Sequence, residues 1–253
     1  MILEREPELM HDNIGTTFIR VQIGGHFETH PIKSSHVRLW VAREFWNCAG
    51  KPAKPEYIKQ ALEVISSMAM FDGEQKTMAN RMGEANSAFW YDLCDPKWSV
   101  VRINNEGWEM IVNSPAIFRR YKYQLPQVHP ARDGSVSRVL EFVNISDEQQ
   151  KLLVQVYIVS CFVPNIPHPI PVLFGSQGSA KSTFLRVLRR IIDPSSIELL
   201  SLPTQSEQLI QQLSHHWAPF YDNITTLPEW LSDTLCRAVT GEGHSKRELY
   251  SDD

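Results

Sequence analysis

Cysteine is scarce in this chain, and no C-x-x-C pair occurs among its four widely spaced cysteines, Cys48, Cys94, Cys161 and Cys236. This spacing argues against a disulfide framework or a zinc ribbon and predicts reduced, mostly buried thiols. A long apolar run is also missing, because the most apolar segment, 152–163, contains Gln155 and is too short to span a bilayer. The N-terminus is charged and has no signal-peptide core. We therefore expect a cytoplasmic protein with no membrane partner.

Neither sign of charge dominates the sequence. The 25 Lys and Arg residues stand against 29 Asp and Glu residues, which gives a formal net charge of −4. This balance excludes a surface that is basic throughout, so any DNA contact requires a local basic patch. Repeats and low-complexity tracts are absent as well. The 253 residues, 42% of them hydrophobic, suffice for two ordinary globular domains.

The sequence pattern of residues 1–125 predicts a smaller α+β accessory domain of unknown role. Alternating apolar residues over 19–23, followed by Gly24-Gly25, predict a hairpin. Ser34 or Ser35 marks the start of a helix that ends at Gly50, and Pro55 opens a second helix. A meander is expected after these helices, with strands near 77–82, 88–93, 98–103 and 108–112.

A polar stretch over 126–137, interrupted by Pro126, Pro130 and Gly134, predicts the linker to a second domain over 138–253. Within that domain, Ser146-Asp-Glu-Gln149 has the pattern of a capping box before a helix that stops at Pro164.

The most informative segment of the chain runs from 171 to 185. An apolar triplet, 172–174, is expected to form a buried strand, and Lys181 opens an amphipathic helix, so the segment has the strand–loop–helix context of a Walker A motif. We expect ATP to be bound by nine consecutive residues, Gly175, Ser176, Gln177, Gly178, Ser179, Ala180, Lys181, Ser182 and Thr183.

Each residue type in this loop has a physical role. The glycines allow backbone N–H groups to turn inward as an anion nest at the positive end of the helix. Lys181 supplies a charge for the β- and γ-phosphates, and Ser182 supplies a hydroxyl for Mg²⁺. Ala180 stands where the usual pattern has Gly, and it is expected to be tolerated because that position often has helical backbone. The alternative interpretation is a Gly/Ser loop that only caps a helix.

Asp222 is the candidate for the carboxylate on a neighbouring strand that holds the Mg²⁺ shell in this class of site. It ends a short apolar run about forty residues after Lys181, and a carboxylate at the end of a parallel strand lies where ligands collect. We therefore assign Lys181 and Asp222 as catalytic residues and Ser182 and Asp222 as Mg²⁺ ligands. The next residue is Asn223, where many related sites have an acid that positions the attacking water. The sequence therefore supports ATP hydrolysis less strongly than ATP binding. The alternative is a turn Asp-Asn after a short strand.

Three pieces of the sequence carry a resemblance to a known family. The first is the loop 175–183, with its Gln-Gly-Ser-Ala-Lys-Ser core. The second is Tyr221-Asp-Asn-Ile224 with 227–237, and the third is 240–253. From about Ile14 to the end, the chain resembles ATP-binding proteins of prophages and other mobile elements. These are similar to the superfamily III helicase modules of phage and plasmid primase-helicases.

The resemblance implies ATP-driven movement on DNA, single-stranded DNA above all, by a homo-oligomeric ring of a replication helicase. The family pattern continues with a polar sensor and an arginine finger, and this sequence ends before both. The expected fold is therefore an incomplete α/β P-loop NTPase domain preceded by the α+β domain. Two alternatives stay open: a switch ATPase without unwinding activity, and a DNA-binding scaffold that retains a relic P-loop.

Weaker candidates lie outside the loop. His26-Phe-Glu-Thr-His30 is not the H-E-x-x-H motif, and although 26, 28 and 30 share a strand face, a metal role would require a further ligand. The mixture of basic and aromatic side chains over 119–123 is typical of a binding site for single-stranded nucleic acid, although a solvated strand edge is the simpler interpretation. Lys246 and Arg247 could contact DNA or a neighbouring subunit's phosphates.

Overall fold

The computed structural model describes residues 6–240. The chain forms two compact units, unit 1 over 1–120 and unit 2 over 121–253. This boundary precedes the end at residue 125 that the sequence suggests. Leu125 N donates to Pro194 O at 2.9 Å and Gln127 Nε2 donates to Ile191 O at 2.8 Å, so the chain just after the boundary is held by unit 2. The expected linker 126–137 therefore begins inside that unit, and its last two residues start the 3-10 helix Val136–Phe142.

The described part of unit 1, residues 6–120, contains three sheets. The first has the order β3-β2-β1-β4, from β1 (Glu8–His11), β2 (Thr17–Ile23), β3 (His26–Pro31) and β4 (Glu74–Gln75). The second pairs β5 (Met78–Ala79) with β10 (Ile117–Phe118). The third is an antiparallel meander of β6 (Met82–Ala85), β7 (Ala88–Asp92), β8 (Ser99–Asn104) and β9 (Gly107–Val112). The first meander strand, expected over 77–82, is divided between β5 and β6, and Arg81 between them has φ 64°.

The hairpin and the two helices expected in unit 1 are present. β2 and β3 pair through the turn at Gly24 and Gly25, which have φ 56° and 95°. Helix α1 (Ser35–Ala49) begins after Ser34, whose side chain accepts a hydrogen bond from Val37 N, and ends at a left-handed Gly50. Helix α2 (Pro55–Phe71) begins at its proline. Both helices pack on the first sheet around buried Ile19, Val21, Ile32, Val37, Val41, Ile65 and Ala69.

Unit 2 is built from helices. These are α3 (Glu148–Ser160), α4 (Lys181–Ile192), α5 (Ser206–His215) and α6 (Glu229–Thr240), with the 3-10 helix before them. The N-cap of α3 is Asp147, which accepts from Gln150 N at 2.8 Å, one residue beyond the Ser146 of the expected capping box. None of the helices described over 6–240 is long and apolar enough to cross a membrane.

The strand expected over 172–174 is not formed. Val172 and Phe174 are 76% and 91% exposed, and only Leu173 between them contacts the core of unit 2. Described residues 121–240 form no extended ladder, only two isolated bridges, Gln124 with Ser195 and Leu200 with Tyr221. An apolar triplet becomes a buried strand only when neighbouring strands satisfy its backbone. The α/β P-loop fold therefore stays a prediction.

The expectation of mostly buried thiols is wrong. All four thiols are free, but Cys48 and Cys236 are exposed and only Cys161 is fully buried. Burial raises the pKa of the Cys161 thiol to about 11.

Candidate nucleotide-binding site

The loop between residues 175 and 180 turns through three left-handed positions. Gly175, Gly178 and Ala180 have φ 149°, 81° and 60°. A Cβ on Gly175 would lie 3.2 Å from Ser179 Oγ, so this position has both a backbone and a steric reason for glycine. Gln177 lies at the exposed tip of the loop. The backbone therefore reverses direction sharply just before α4 begins.

Ala180 does not have the helical backbone expected from its place in the motif. It is the N-cap of α4, in the left-handed region with ψ 18°, and its side chain makes no capping hydrogen bond. A Cβ in this region crowds the neighbouring carbonyl, which costs roughly 1–2 kcal/mol relative to the right-handed region. The absence of the usual glycine thus leaves strain in the loop.

The Lys181 ammonium group folds back over the loop. Its Nζ donates to Gly175 O at 2.9 Å, to Ser176 O at 2.8 Å and to Ser179 Oγ at 3.2 Å. Ser179 Oγ in turn donates to Ser176 O at 2.9 Å. The cation is therefore held against the loop where a phosphate chain is expected to lie, and its partners there are backbone carbonyls and one hydroxyl.

Helix α4 fixes the loop to the body of unit 2. Phe184, Leu188 and Ile192 recur at helical spacing and are buried in one core with Ala218 and Phe220. The polar candidates in the first turn are not part of this core: Ser182 is half-buried and Thr183 is exposed. Their hydroxyls are thus positioned at the loop end of a well-anchored helix.

A buried polar network joins the end of α4 to the segment before Asp222. Arg189 Nη1 donates to Asp193 Oδ2 at 2.9 Å, and both side chains are 1% exposed. The same carboxylate oxygen accepts from Trp217 N at 3.1 Å and Ala218 N at 3.3 Å. Arg189 also donates to Ala218 O. The sequence left open whether Arg186, Arg189 and Arg190 are solvated or pair with acids, and for Arg189 the pair at i and i+4 with Asp193 is formed.

His216 completes the network as an acceptor. Arg189 Nη2 donates to His216 Nδ1 at 2.7 Å, which requires the imidazole to be neutral. Burial, and then the charge of Arg189, lower the pKa of His216 to about 4. The ring is therefore an uncharged partner at neutral pH and holds the guanidinium from a second side.

Asp222 follows directly on this supported segment. Its N–H donates to Leu200 O at 3.1 Å, and Leu200 N donates to Phe220 O at 2.8 Å, so residues 220–222 run parallel to the chain at 200. Its Oδ1 accepts from Asn223 N at 2.9 Å. Within residues 6–240, no hydrogen bond or ion pair joins Asp222 to Lys181 or Ser182. The two parts of the site share a core through Phe184 and Phe220 without direct contact between their polar groups.

Basic and aromatic side chains of the cluster over 119–123 mostly contact other side chains of the protein. Arg120 donates through Nε and Nη2 to both oxygens of Asp92, at 2.8 and 2.6 Å, and its guanidinium lies 3.9 Å over the ring of Trp98. In unit 2, Tyr121 and Tyr123 stack on each other with ring centroids 5.6 Å apart. Arg120 is thus a structural residue of unit 1. Lys246 and Arg247, and the motif over 240–253, lie beyond the residues that the structure describes.

Comparison with known proteins gives one similarity. Residues 136–253 match the model of a family described as actinomycete integrative conjugative element replication protein. The match covers the loop, α4 and Asp222 and begins where the 3-10 helix begins. Neither a curated protein nor a solved structure matches the chain significantly.

Proposed function

We propose that unit 2 binds ATP with Mg²⁺ and serves as the ATPase module of a replication protein of a mobile element. The observation that carries the proposal is the placement of the Lys181 ammonium over the loop, within 2.9 Å of the Gly175 and Ser176 carbonyls. Phosphate groups bind at helix N-termini and in glycine-containing turns, where backbone N–H groups and a neighbouring cation meet them. The similarity of 136–253 to replication proteins supports the biological setting.

In the proposed complex, the phosphates replace the loop carbonyls as partners of Lys181. Phosphate oxygens carry full negative charge, so their bonds to an ammonium group are stronger than those of a neutral carbonyl. Backbone N–H groups of 175–180 donate to the α- and β-phosphates. The hydroxyl of Ser182 would hold Mg²⁺, and the carboxylate of Asp222 would supply the acidic contact to the ion. Hydrolysis then depends on positioning the attacking water and stabilising the charge of the transition state. DNA is the proposed partner on which ATP hydrolysis acts.

The direct test measures Mg²⁺-dependent ATP binding to the full chain by calorimetry, comparing wild type with Lys181→Ala. Loss of a charge-assisted contact of about 1.5–3 kcal/mol predicts affinity at least about tenfold weaker. The control is Lys151→Ala, which removes a lysine paired with Glu148 on α3 and is expected to leave affinity unchanged. Wild-type protein that fails to bind ATP, or equal affinity of wild type and Lys181→Ala, would contradict the proposal.

Two related hypotheses differ in the step after ATP binding. A switch ATPase hydrolyses bound ATP at a rate that DNA does not change, which Asn223 in place of an acid favours. A helicase module shows turnover that single-stranded DNA stimulates and forms a ring with nucleotide. Steady-state phosphate release with and without single-stranded DNA, and particle mass with nucleotide, separate the two.

A further inference from the structure

Four ionisable side chains of unit 1 meet at the junction of β3 and α1. His26, Glu28 and His30 share one face of β3, and His36 lies in the first turn of α1. His30 Nε2 donates to Glu28 Oε2 at 2.8 Å, and His26 Nε2 donates to Glu28 Oε1 at 3.1 Å. His36 Nε2 lies 3.8 Å from Glu28 Oε2. The structure thus supplies the further ligand that the sequence pattern of 26–30 lacked.

The geometry of these atoms fits a small cation. One ligand atom from each of Glu28, His30 and His36 lies within 4.8 Å of the other two. Ligand atoms about 2.0–2.1 Å from a tetrahedral zinc ion are roughly 3.3 Å from one another, so only small rotations are needed. The imidazole rings of His30 and His36 already stack with centroids 4.1 Å apart and planes 23° apart, which brings both rings to the same carboxylate.

The surrounding secondary structure fixes the positions of these three side chains. Glu28 and His30 lie on a strand in register with β2, opposite Val21 and Ile19, so their spacing is fixed by the sheet. His36 is fixed by the start of a capped helix. The two β3 side chains are 15% and 19% exposed, whereas His36 is 57% exposed, which leaves an entry path from solvent. His26, bonded to the second oxygen of Glu28, orients the carboxylate as outer-shell partners do in metal sites.

We propose that Glu28 Oε2, His30 Nε2 and His36 Nε2 bind a divalent transition metal ion of the zinc class, with water in the fourth position. Two imidazoles and one carboxylate are a ligand set that zinc takes in open, three-ligand sites. On binding, the metal takes the place of the Nε2 proton of His30, and that proton moves to Nδ1 of the same ring. This site lies in unit 1 and does not depend on nucleotide binding by unit 2.

The test titrates Zn²⁺ into the metal-free full chain by calorimetry, with wild type, His36→Ala and Glu28→Gln. The expected result is one ion per chain and an affinity at least about tenfold weaker in either variant. His36 is the preferred position because its exposed side chain leaves the core intact. Co²⁺ provides a second readout, since its visible absorption in the wild type should show nitrogen and oxygen ligands in tetrahedral geometry.

The matched control is His129→Ala, which removes an exposed histidine of unit 2 and should leave zinc binding unchanged. Circular dichroism of each variant checks that the chain is folded. Wild-type protein that binds no zinc at micromolar concentrations overturns the proposal. Equal zinc affinity in wild type and folded His36→Ala overturns it as well, because the ion would then lie on other side chains.

Discussion

Replacement of Arg189 by methionine tests the network that joins α4 to the Asp222 segment. Methionine keeps most of the side-chain volume but leaves the Asp193 carboxylate buried without its cation. Breaking a buried ion pair from one side typically costs about 3–5 kcal/mol. Asp193 keeps two backbone donors, Trp217 N and Ala218 N, so we expect the lower end, about 3 kcal/mol. This is a large part of the stability of an ordinary domain.

Hydrogen exchange of the full chain, read by mass spectrometry of peptides, measures the effect locally. A loss of about 3 kcal/mol raises the opening equilibrium of α4 by roughly a hundredfold, and protection of its amides should fall by that factor. Peptides of β7 and β8 in unit 1 serve as the internal reference. The control variant is Arg190→Met, which removes an exposed pair with Glu198 at 2.9 Å and should change stability by about 1 kcal/mol or less.

A double variant sharpens the interpretation. If the carboxylate left without its partner causes the loss, Arg189→Met combined with Asp193→Asn should be less destabilised than the sum of the two single variants. Protection of α4 in Arg189→Met that falls less than about tenfold would refute the reasoning, since it would mean that solvent or side-chain rearrangement compensates the charge.

Three further outcomes are expected. Because the folded pKa of His216 is about 4, below the ordinary value of 6.5, the unfolded chain takes up the proton first. The stability of unit 2 should therefore fall by about 2 kcal/mol between pH 7 and pH 5, and denaturant unfolding of His216→Asn should lack this slope. Ala180→Gly relieves the left-handed strain at φ 60° and should raise stability by about 1 kcal/mol, seen as a higher melting temperature, whereas Ser179→Gly should not. Asp222→Asn should weaken ATP binding in Mg²⁺ by about tenfold but not in a chelator; equal losses in both conditions would exclude a role in holding the metal.

Local rules of sequence predicted unit 1 well. Ser34, Gly50 and Pro55 each impose their own backbone geometry, so the bounds of α1 and the start of α2 follow from single residues. The Gly24-Gly25 turn sets the register of β2 and β3 in the same way. These features need no information from distant parts of the chain.

The features that sequence missed depend on distant partners. The triplet 172–174 has strand composition, but whether it pairs is decided by other segments. The backbone of Ala180 is decided by the whole loop, and the Arg189–His216 bond joins residues that only the packed core brings together. His36 reaches Glu28 only because α1 begins immediately after β3. Spacing along the chain could not reveal these contacts.

The boundary after Arg120 has a consequence for inheritance. The histidine cluster is encoded within 26–36 and the proposed phosphate loop within 175–183, so each occupies one short, uninterrupted stretch of the gene on its own side of that boundary. A recombination event near the codon for Arg120 would carry either stretch whole and leave the other undamaged. Exchange of one half between related genes would therefore transmit the residues of one proposed site in a single step.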